Sequence, residues 1–270
     1  HTEAAVDLAR AAGLSSAGVI AEIVNDDGSM ARLPQLAAFA KEHGLALISI
    51  ADLIAYRRRH ETFVERVADT VLPTRFGTFQ AHLFRSKIDG KEHMALSVGL
   101  GEAGPDGPRA PIDATVAVRV HSECLTGDVF HSLRCDCGPQ LDAALEMLGK
   151  EPHGVLVYMR QEGRGIGLQN KLKAYRLQDT GLDTVEANEA LGFPADRRDY
   201  GIGAQVLSDL GISRMKLMTN NPAKFSAMNA YGLEVVERVA IEAPEGENYE
   251  RYLSTKRDRM GHMIRGCAEC

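Results

Sequence analysis

Three of the five cysteines of this 270-residue chain lie within one short segment, at Cys124, Cys135 and Cys137. Thiolates are preferred ligands of zinc, and the ten residues between the first two cysteines allow a loop to bring all three sulfurs to one ion. A structural zinc site normally has four protein ligands, whereas a catalytic site keeps one position open for water. The spacing leaves both kinds of site open, because the sequence offers further ligands that could complete a tetrahedron, namely His121, His131, Cys267 and Cys270.

Residues 160–167 form a second candidate site, because they include three glycines at alternate positions. These glycines allow the backbone to approach a ligand closely, and Arg160 and Arg164 carry planar guanidinium groups that suit phosphate. The glycine spacing fits neither a P-loop nor the dinucleotide-binding fingerprint. Glycine turns without a ligand are common, so the motif alone leaves phosphate binding and a plain turn both open.

Two later segments also carry polar side chains that could bind or react with a ligand. Residues 193–200 include Asp196 and Arg198, and they form either a salt-bridged surface turn or part of a reaction site. Pro222 follows an apolar segment and suits the first turn of a helix, where free backbone amides bind anions. Lys224 would lie on the same turn.

The composition limits the classes of function. Hydrophobic residues make up 44% and charged residues 25% of the chain, which is typical of a globular protein, and no apolar run is long enough to cross a bilayer. A net charge of -6 argues against a nucleic-acid-binding protein, whereas an anionic small ligand needs only a local basic pocket. Cysteines that are odd in number, at metal-like spacings and without a signal sequence indicate a reducing compartment, and we expect a cytoplasmic protein with no membrane role.

The elements that position these segments follow from apolar periodicity and turn residues. Helices are predicted at residues 2–12, 34–43, 139–148, 168–177 and 252–263, and further helices begin at Asp52 and near Pro222. Strands are predicted at residues 19–24, 45–50, 76–84, 93–98, 114–120, 154–159, 215–219 and 234–241. Most of the charged residues of helix 168–177 are expected at the surface. The pattern predicts a mixed α/β fold that starts in αβαβ order and has a domain boundary near Ala68.

The start of the chain resembles a known family. Similarity to the C-terminal end of 3,4-dihydroxy-2-butanone 4-phosphate synthase is found in His1-Thr2-Glu3-Ala4, Ala21-Glu22-Ile23, residues 25–32 and residues 50–57. The resemblance implies that His1 binds a divalent metal, magnesium or manganese, and that Glu22 contacts the sugar phosphate and helps to transfer protons. The acidic metal ligands and the phosphate-binding segment that the family carries upstream are absent from this sequence. We therefore expect residues 1–62 to be an inactive fragment with an αβ fold.

A second resemblance covers residues 69–265. It rests on motifs that follow one another in the order of the family, namely Arg119-Val120-His121-Ser122-Glu123-Cys124, Cys135-Asp136-Cys137-Gly138, Arg160-Gln161-Glu162-Gly163-Arg164, Asp183-Thr184-Val185-Glu186-Ala187-Asn188, Asp196 with Arg198, and Thr219-Asn220-Asn221-Pro222. These motifs resemble GTP cyclohydrolase II, whose domain would have a mixed sheet and a zinc loop. With the upstream segment, the chain resembles bifunctional enzymes of riboflavin biosynthesis in which the synthase comes first.

This resemblance implies zinc-dependent hydrolysis of GTP. The family opens the imidazole ring, releases formate and pyrophosphate, and leaves a diaminopyrimidine that carries ribose phosphate. Zinc held by the three cysteines would activate water to attack the ring carbon, with Tyr175 beside the metal for proton transfer, so the resemblance favours a catalytic zinc site. Arg198 would be the nucleophile towards the α-phosphorus, and Asp196 would accept its proton.

The remaining site residues are also implied by the resemblance. Contacts to GTP are expected from Arg119, Val120, His121, Ser122, Glu123, Gln140, Glu162, Gly163, Arg164, Thr184, Thr219 and Lys224. Magnesium is expected on the triphosphate, and the protein is expected to be a homodimer. The tail 266–270 with Cys267 and Cys270 is either a free dithiol or an accessory metal site. A second hypothesis is a non-catalytic zinc protein that binds a nucleotide, although the presence of Asp196, Arg198 and Tyr175 argues against it.

Overall fold

The structure is a computed structural model that describes residues 1–101, 108–241 and 250–263. The chain divides into two compact units, His1–Glu61 and Thr62–Cys270. The tail with Cys267 and Cys270 lies outside the described residues, as do residues 102–107 and 242–249. Within the described ranges, no helix combines the length and the apolar composition needed to span a bilayer.

The first unit contains three helices, α1 (Thr2–Ala11), α2 (Leu33–His43) and α3 (Ile50–His60). Local sequence signals set their ends. Gly44 follows α2 in a left-handed conformation with φ 63°, and the hydroxyl of Ser49 accepts a hydrogen bond from the backbone N–H of Asp52 at the start of α3. These helices confirm the helical part of the prediction for this unit.

The two strands predicted for the first unit are wrong. Residues 19–24 and 45–50 form no strand, and the pairing described within this unit is an isolated bridge between Val24 and Met30. Val19 and Leu47 remain exposed. A strand needs a neighbouring strand for its hydrogen bonds, and within this unit neither segment has one. The expected αβ fragment is therefore a set of three helices joined by irregular segments.

The second unit is built on a seven-stranded mixed sheet, which confirms the predicted fold class. In chain order its strands are β1 (Val64–Thr74), β2 (Gly77–Ser86), β3 (Glu92–Val98), β4 (Val116–Ser122), β5 (Gly154–Met159), β6 (Arg214–Met218) and β7 (Glu234–Val239). Across the sheet they lie in the order β1-β2-β3-β5-β4-β6-β7. The pairs β1-β2, β2-β3 and β3-β5 are antiparallel, and the pairs β5-β4, β4-β6 and β6-β7 are parallel. The boundary predicted near Ala68 falls inside β1, which the sequence analysis missed.

The helices of the second unit are α4 (Leu125–Asp128), α5 (Cys137–Leu148), α6 (Gly167–Asp179), α7 (Thr184–Ala190), α8 (Gly201–Asp209), α9 (Ala223–Ala230) and α10 (Glu250–Met260), with a 3-10 turn at Glu162–Gly165. The predictions for α5, α6, α9 and α10 agree within a few residues. Helices α4, α7 and α8 were not predicted from the apolar pattern. A capping box between Asp183 and Glu186 marks the start of α7 and could have revealed it.

Helices cover both faces of the sheet at its centre. Val118 of β4 belongs to a buried cluster with Leu207 of α8, whereas the neighbouring Ala117 belongs to a second cluster with Leu148 of α5. Burial on both faces is typical of a central parallel strand. Because β4, β5 and β6 are parallel neighbours, their carboxyl ends meet at one edge of the sheet, where ligands commonly bind. The cysteine segment, the glycine turn and the segment around Pro222 all begin at this edge.

Candidate active site

The three cysteines predicted to bind zinc converge just beyond β4. Their sulfur atoms lie within 4.8 Å of one another, and the Sγ atoms of Cys124 and Cys135 are 3.6 Å apart. A tetrahedral zinc ion with Zn–S bonds of about 2.3 Å holds its ligands about 3.8 Å apart, so the spacing fits a single ion. In the described ranges this is the one group of three or more His, Cys, Asp or Glu side chains that could hold a metal ion.

Two glycines allow the cysteine segment to close on itself. A Cβ on Gly127 would lie 2.9 Å from the Sγ of Cys135 and 3.1 Å from the Sγ of Cys124, which is too close for either contact. A Cβ on Gly138 would overlap the carbonyl oxygen of Gly127. The close approach of the three sulfurs therefore depends on glycine at these two positions.

Lys171 of α6 contributes a buried ammonium to the cysteine cluster. Its Nζ donates hydrogen bonds to the Sγ of Cys124 at 3.1 Å and to Oε1 of Glu162 at 2.8 Å. Burial opposes the charge of Lys171, but the hydrogen bond to Glu162 and the charge of Cys124 outweigh it and raise the lysine pKa. The prediction that the charges of this helix lie mostly at the surface is wrong for Lys171, because an ion pair and a thiolate compensate for its burial.

One thiolate is already favoured within the cluster. Hydrogen bonds from Cys135 and Cys137, together with the charge of Lys171, lower the pKa of Cys124. The hydrogen bond to Cys124 raises the pKa of Cys135 to about 11. Because a metal ligand must be a thiolate, the arrangement around Cys124 favours metal binding.

His121 is not placed as a fourth metal ligand. Its Nε2 lies 3.1 Å from Oδ1 of Asp128, and its ring stacks on Tyr158 with centroids 5.6 Å apart. Asp128 also accepts hydrogen bonds from the backbone N–H of Cys124 at 2.9 Å and from the hydroxyl of Tyr158 at 2.7 Å. Burial lowers the pKa of His121. The histidine and the aspartate thus fix the start of the cysteine segment.

Arg119 begins a series of side-chain hydrogen bonds that extends to α10. Its Nη2 donates to Oε1 of Gln140 at 2.7 Å, and Nε2 of Gln140 donates to Asp136 at 2.5 Å. The Nζ of Lys256, on α10, donates to the other oxygen of Asp136 at 2.6 Å. Burial lowers the pKa of Arg119 to about 10. Asp136 lies between two of the cysteines in sequence, so this series of hydrogen bonds links the cysteine segment to α10.

The glycine turn has an unusual backbone at its centre. Gly163 and Arg164 both have left-handed conformations, with φ 61° and 58°. This region favours glycine, so its use by an arginine marks a constrained position. The carbonyl oxygen of Arg164 accepts a hydrogen bond from the backbone N–H of Arg197 at 3.1 Å. The turn is thereby joined to the segment that contains Asp196 and Arg198.

Asp196 and Arg198 form an ion pair. The Nε of Arg198 lies 2.9 Å from Oδ1 of Asp196, and its Nη2 lies 2.5 Å from Oδ2. Burial opposes the charge of Asp196, but the hydrogen bonds from Arg198 outweigh it and lower the carboxyl pKa. The guanidinium of Arg198 also lies over the ring of Tyr200, 5.7 Å from its centroid. Of the two interpretations of this segment, the structure has a salt-bridged turn in which Arg198 reaches the pocket.

Tyr175 lies beside the cysteine cluster. Its hydroxyl is 3.2 Å from Oγ1 of Thr126, which in turn is 3.7 Å from the Sγ of Cys124. Burial raises the pKa of Tyr175 to about 12. The phenol is therefore protonated at neutral pH.

The segment after β6 supplies a buried lysine. The Nζ of Lys224 donates to the carbonyl oxygen of Val120 at 2.7 Å and lies 5.4 Å from the centroid of the Tyr200 ring. Burial lowers its pKa. The hydroxyl of Thr219 accepts a hydrogen bond from the backbone N–H of Asn221 at 3.0 Å, which orders the turn before α9.

One pocket brings most of the predicted residues together. It is lined by Arg119, His121, Ser122, Glu123, Cys124, Cys135, Cys137, Gln140, Glu162, Gly163, Arg164, Tyr175, Thr184, Arg198, Thr219 and Lys224. Val120 does not line it, since its side chain is buried in the core, and Asp196 lies behind Arg198. His1 and Glu22 are exposed in the first unit, and neither belongs to a described metal-binding group.

Several further residues that line the same pocket were not predicted from the sequence. These are Arg134, Ile166, Lys171, Ala174, Gln178, Asn188, Asn220, Asn221, Lys256, Met260 and His262. The motif Asp183–Asn188 and the motif beginning at Thr219 already contained three of them. Lys256, Met260 and His262 gave no local signal, because a charged helix at this position is typical of a solvent-exposed element.

Comparison with known proteins agrees with these motifs. The sequence model of GTP cyclohydrolase II matches residues 65–240, and that of 3,4-dihydroxy-2-butanone 4-phosphate synthase matches residues 1–56. The chain is 60% identical over 265 residues to the riboflavin biosynthesis protein RibBA of Aquifex aeolicus, and 58% identical over 264 residues to that of Bacillus cereus. Each alignment covers 98% of this chain but only 63% and 64% of those relatives, so the chain spans less than two thirds of their length.

A solved structure is also similar. The crystal structure of RibBX, a two-domain 3,4-dihydroxy-2-butanone 4-phosphate synthase from A. baumannii, matches with a TM-score of 0.50 and 32% sequence identity. The match covers 89% of this chain and 58% of that one. The family match confirms the resemblance that was inferred from the cysteine, glycine-turn and threonine–asparagine motifs. With its pocket at the carboxyl edge of the sheet and its three-cysteine cluster, this chain belongs to the GTP cyclohydrolase II family.

Proposed function

We propose that the second unit hydrolyses GTP to a diaminopyrimidine carrying ribose phosphate, formate and pyrophosphate, as the first step of riboflavin biosynthesis. The observation that carries the proposal is one pocket lined both by three convergent cysteines and by a set of basic side chains. The cysteines supply a metal site for attack on carbon, and the basic side chains supply a site for a polyphosphate. GTP hydrolysis with release of both products needs these two features together.

Cys124, Cys135 and Cys137 would hold a zinc ion. The soft sulfur donors and their spacing suit zinc, and three protein ligands are the set expected of a catalytic site. When bound, the ion supplies Lewis-acid activation of water for attack on the ring carbon. Lys171 and Asp128 hold the first cysteine from opposite sides, through its sulfur and its backbone N–H.

The proposed roles in ring opening follow from protonation and position. Tyr175, whose phenol is protonated, lies within two hydrogen bonds of Cys124 and would donate a proton to the departing ring nitrogen. Glu162 accepts hydrogen bonds from Lys171, from the backbone N–H of Leu125 and from that of Gly163. Its carboxylate therefore fixes the turn beside the metal segment, in addition to the contact with GTP that the resemblance implies.

The basic side of the pocket would hold the phosphates. Arg164, Arg198 and Lys224 line it, and planar guanidinium groups bind phosphate in a bidentate manner. Attack of Arg198 on the α-phosphorus would form a P–N bond and break the bond to the departing pyrophosphate, and water would then hydrolyse the P–N bond and restore the arginine. The guanidinium must lose a proton for this attack, and Asp196, which contacts it directly, could accept that proton. The lowered pKa of Asp196 shows that its carboxyl group carries no proton at neutral pH.

Several finer expectations remain proposals. We expect magnesium on the triphosphate, because the phosphates of a bound nucleotide usually carry it. Free thiols at Cys124, Cys135 and Cys137 support a reducing compartment such as the cytoplasm. A homodimer stays an expectation from the family resemblance. We also propose that the first unit is part of a synthase domain in which His1 binds magnesium or manganese and Glu22 contacts the sugar phosphate, and that residues 1–61 alone do not convert ribulose 5-phosphate.

A direct assay tests the main proposal. The purified protein, loaded with zinc and supplied with GTP and magnesium, is expected to release formate and pyrophosphate in equal amounts. A matched sample treated with a chelator should release no formate, and added zinc should restore it. Zinc-loaded protein that binds GTP but releases no formate at any enzyme concentration would contradict the proposal.

The second candidate is a domain that binds a nucleotide without opening its ring. The similar protein RibBX is called a synthase alone although it has two domains, and its match extends over most of our second unit. Tyr175 and Arg198 line the pocket, and Asp196 contacts Arg198, which favours the enzyme. The same formate assay separates the two candidates.

A further inference from the structure

The last described segment of the chain forms part of the pocket wall. Lys256, Met260 and His262 lie in or just after α10, and all three line the pocket. The family match ends at residue 240, so this wall comes from a part of the chain outside the matched range. None of the motifs used to infer the function includes these residues.

A buried ion pair attaches α10 to the cysteine segment. The Nζ of Lys256 lies 2.6 Å from Oδ1 of Asp136, and the two side chains are 11% and 1% exposed. Removing two charges from water is costly, so a buried pair persists only with good geometry and further hydrogen bonds. Asp136 has such a bond from Gln140. Lys256 is thereby held against Asp136 at the wall of the pocket.

Further hydrogen bonds attach the segment to other parts of the site. The backbone N–H of Met263 donates to the carbonyl oxygen of Asn220 at 2.8 Å, beside Thr219. The guanidinium of Arg259 lies 2.9 Å from Asp183, which caps the helix that carries Thr184. The segment therefore contacts the metal segment, the turn before α9 and the start of α7, all of which line the pocket.

Positive charge is concentrated where this segment meets the pocket. Burial and the charges of Lys256, Arg198, Arg164 and Lys224 lower the pKa of His262 to about 4. These four basic residues come from four different segments of the chain, and all of them line the same pocket as His262. Like charges held together in a partly desolvated pocket repel one another, and a ligand with several negative charges relieves that repulsion. Lys256 and Arg198 each have a carboxylate partner, in Asp136 and Asp196, so the positive charge that remains suits an anionic group placed beside them.

We propose that the segment Glu250–Met263 forms the wall of the pocket that binds the outer phosphates of a nucleoside triphosphate, with Lys256 and His262 as the contacting side chains. This inference rests on the proposed function and deepens it by assigning the end of the pocket that distinguishes a triphosphate from a monophosphate. Lys256 would bridge Asp136 and the phosphates, while His262 would donate a hydrogen bond.

Binding measurements on the zinc-loaded protein test the inference. A non-hydrolysable GTP analogue and GMP are titrated into the wild type, into Lys256→Met and into the control Arg257→Met, which removes an exposed charge from the same helix. Loss of one charge-assisted hydrogen bond should weaken binding of the triphosphate analogue about tenfold to a hundredfold. Binding of GMP by Lys256→Met and of both ligands by Arg257→Met should stay within about twofold of wild type.

Two further variants guard against misfolding, because Lys256→Met leaves Asp136 without its ammonium partner. His262→Ala breaks none of the described ion pairs, and Lys256→Met combined with Asp136→Asn removes both charges; zinc content and the melting curve identify folded samples. Selective loss of affinity for the triphosphate analogue in His262→Ala or in the double variant supports the inference. Equal losses for the analogue and for GMP, or no loss in either variant, overturn it. A wild type that binds neither nucleotide would instead overturn the proposed function.

Discussion

The ammonium of Lys171 lies 3.1 Å from the sulfur of Cys124 and joins the metal segment to the glycine turn. The same ammonium bonds Glu162, and Glu162 accepts the backbone N–H of Leu125, the residue after Cys124. The three groups thus form a closed ring of interactions. These interactions hold the side chain of Cys124 in place and favour its thiolate form. Loss of the Lys171 ammonium should therefore weaken metal binding more than it reduces the stability of the fold.

Lys171→Met is expected to weaken zinc binding about tenfold to a hundredfold, the usual effect of losing a partner that orients a metal ligand. Competition with a chromophoric chelator measures the affinity, and the cobalt-substituted protein reports the thiolate ligands through its absorption spectrum. Lys173→Met is the matched control, because Lys173 is exposed on the same helix. A variant with wild-type zinc affinity and an unchanged cobalt spectrum would show that Lys171 has no role at the metal.

Gly127→Ala is expected to prevent convergence of the three sulfurs, because its Cβ would lie 2.9 Å from the Sγ of Cys135. The purified variant should contain much less than one zinc per chain and release no formate. Gly203→Ala serves as control, since its Cβ would lie 3.4 Å from the sulfur of Met159, an ordinary contact. Full zinc occupancy in Gly127→Ala would contradict the described packing.

The two half-reactions are expected to depend on different residues. Cys124→Ser and Cys137→Ser should lose formate release and keep pyrophosphate release, because the pocket residues proposed to bind the phosphates, Arg164 and Lys224, are not ligands of the zinc. Cysteine variants that are folded and bind GTP, yet release neither product, would disprove this division.

Arg198→Ala is expected to lose pyrophosphate release by at least about a hundredfold, the scale of removing a group that contacts the transferred phosphorus. Arg197→Ala, at an exposed neighbouring position, should retain both products. If ring opening continues in Arg198→Ala, the product should still carry a triphosphate, which mass spectrometry detects. Wild-type pyrophosphate release by this variant would remove Arg198 from the mechanism.

The free energy of unfolding is expected to fall as the pH decreases from about 7 to about 5, because buried histidines must take up protons on unfolding. Burial lowers the pKa of His93, whose Nδ1 accepts the backbone N–H of Arg160. A histidine with a lowered folded-state pKa stabilises the fold above the unfolded pKa of about 6.5, and this contribution is lost as the pH falls through the folded value.

Urea denaturation at the two pH values measures this effect. His93→Asn, whose amide oxygen can accept the same hydrogen bond, should lose less stability between them than wild type, by on the order of 1 kcal/mol. His131→Asn, at an exposed position, should behave as wild type. If His93→Asn loses as much free energy of unfolding between the two pH values as wild type does, His93 is not the source of the pH dependence.

Much of the site was predictable because its signals are local in sequence. Cys124, Cys135 and Cys137 lie close together, and zinc chemistry limits what such thiols can do. The left-handed turn was indicated by its glycines, and helix α9 by Pro222. The central strands could be predicted from continuous apolar runs, since a parallel strand at the centre of a sheet is buried on both faces.

The choice between alternatives required the fold. His121 could have completed a zinc tetrahedron, but its Nε2 lies against Asp128 of α4, and Tyr158 of β5 donates a hydrogen bond to the same carboxylate. The strands predicted at residues 19–24 and 45–50 do not form, for a related reason. Apolar periodicity shows which segments could pair, whereas pairing itself needs a partner strand that the local sequence does not contain.

The sequence by itself determined the candidate metal ligands, the order of the motifs and the family, because each of these is encoded in neighbouring residues. The tertiary structure decided which charges are buried and what they face. Lys171 and Lys256 lie on polar helices whose pattern is typical of the surface, yet Glu162 and Asp136 hold them inside the pocket. The stability of a buried charge depends on partners that are distant in sequence, so only the folded chain places these two lysines at the site.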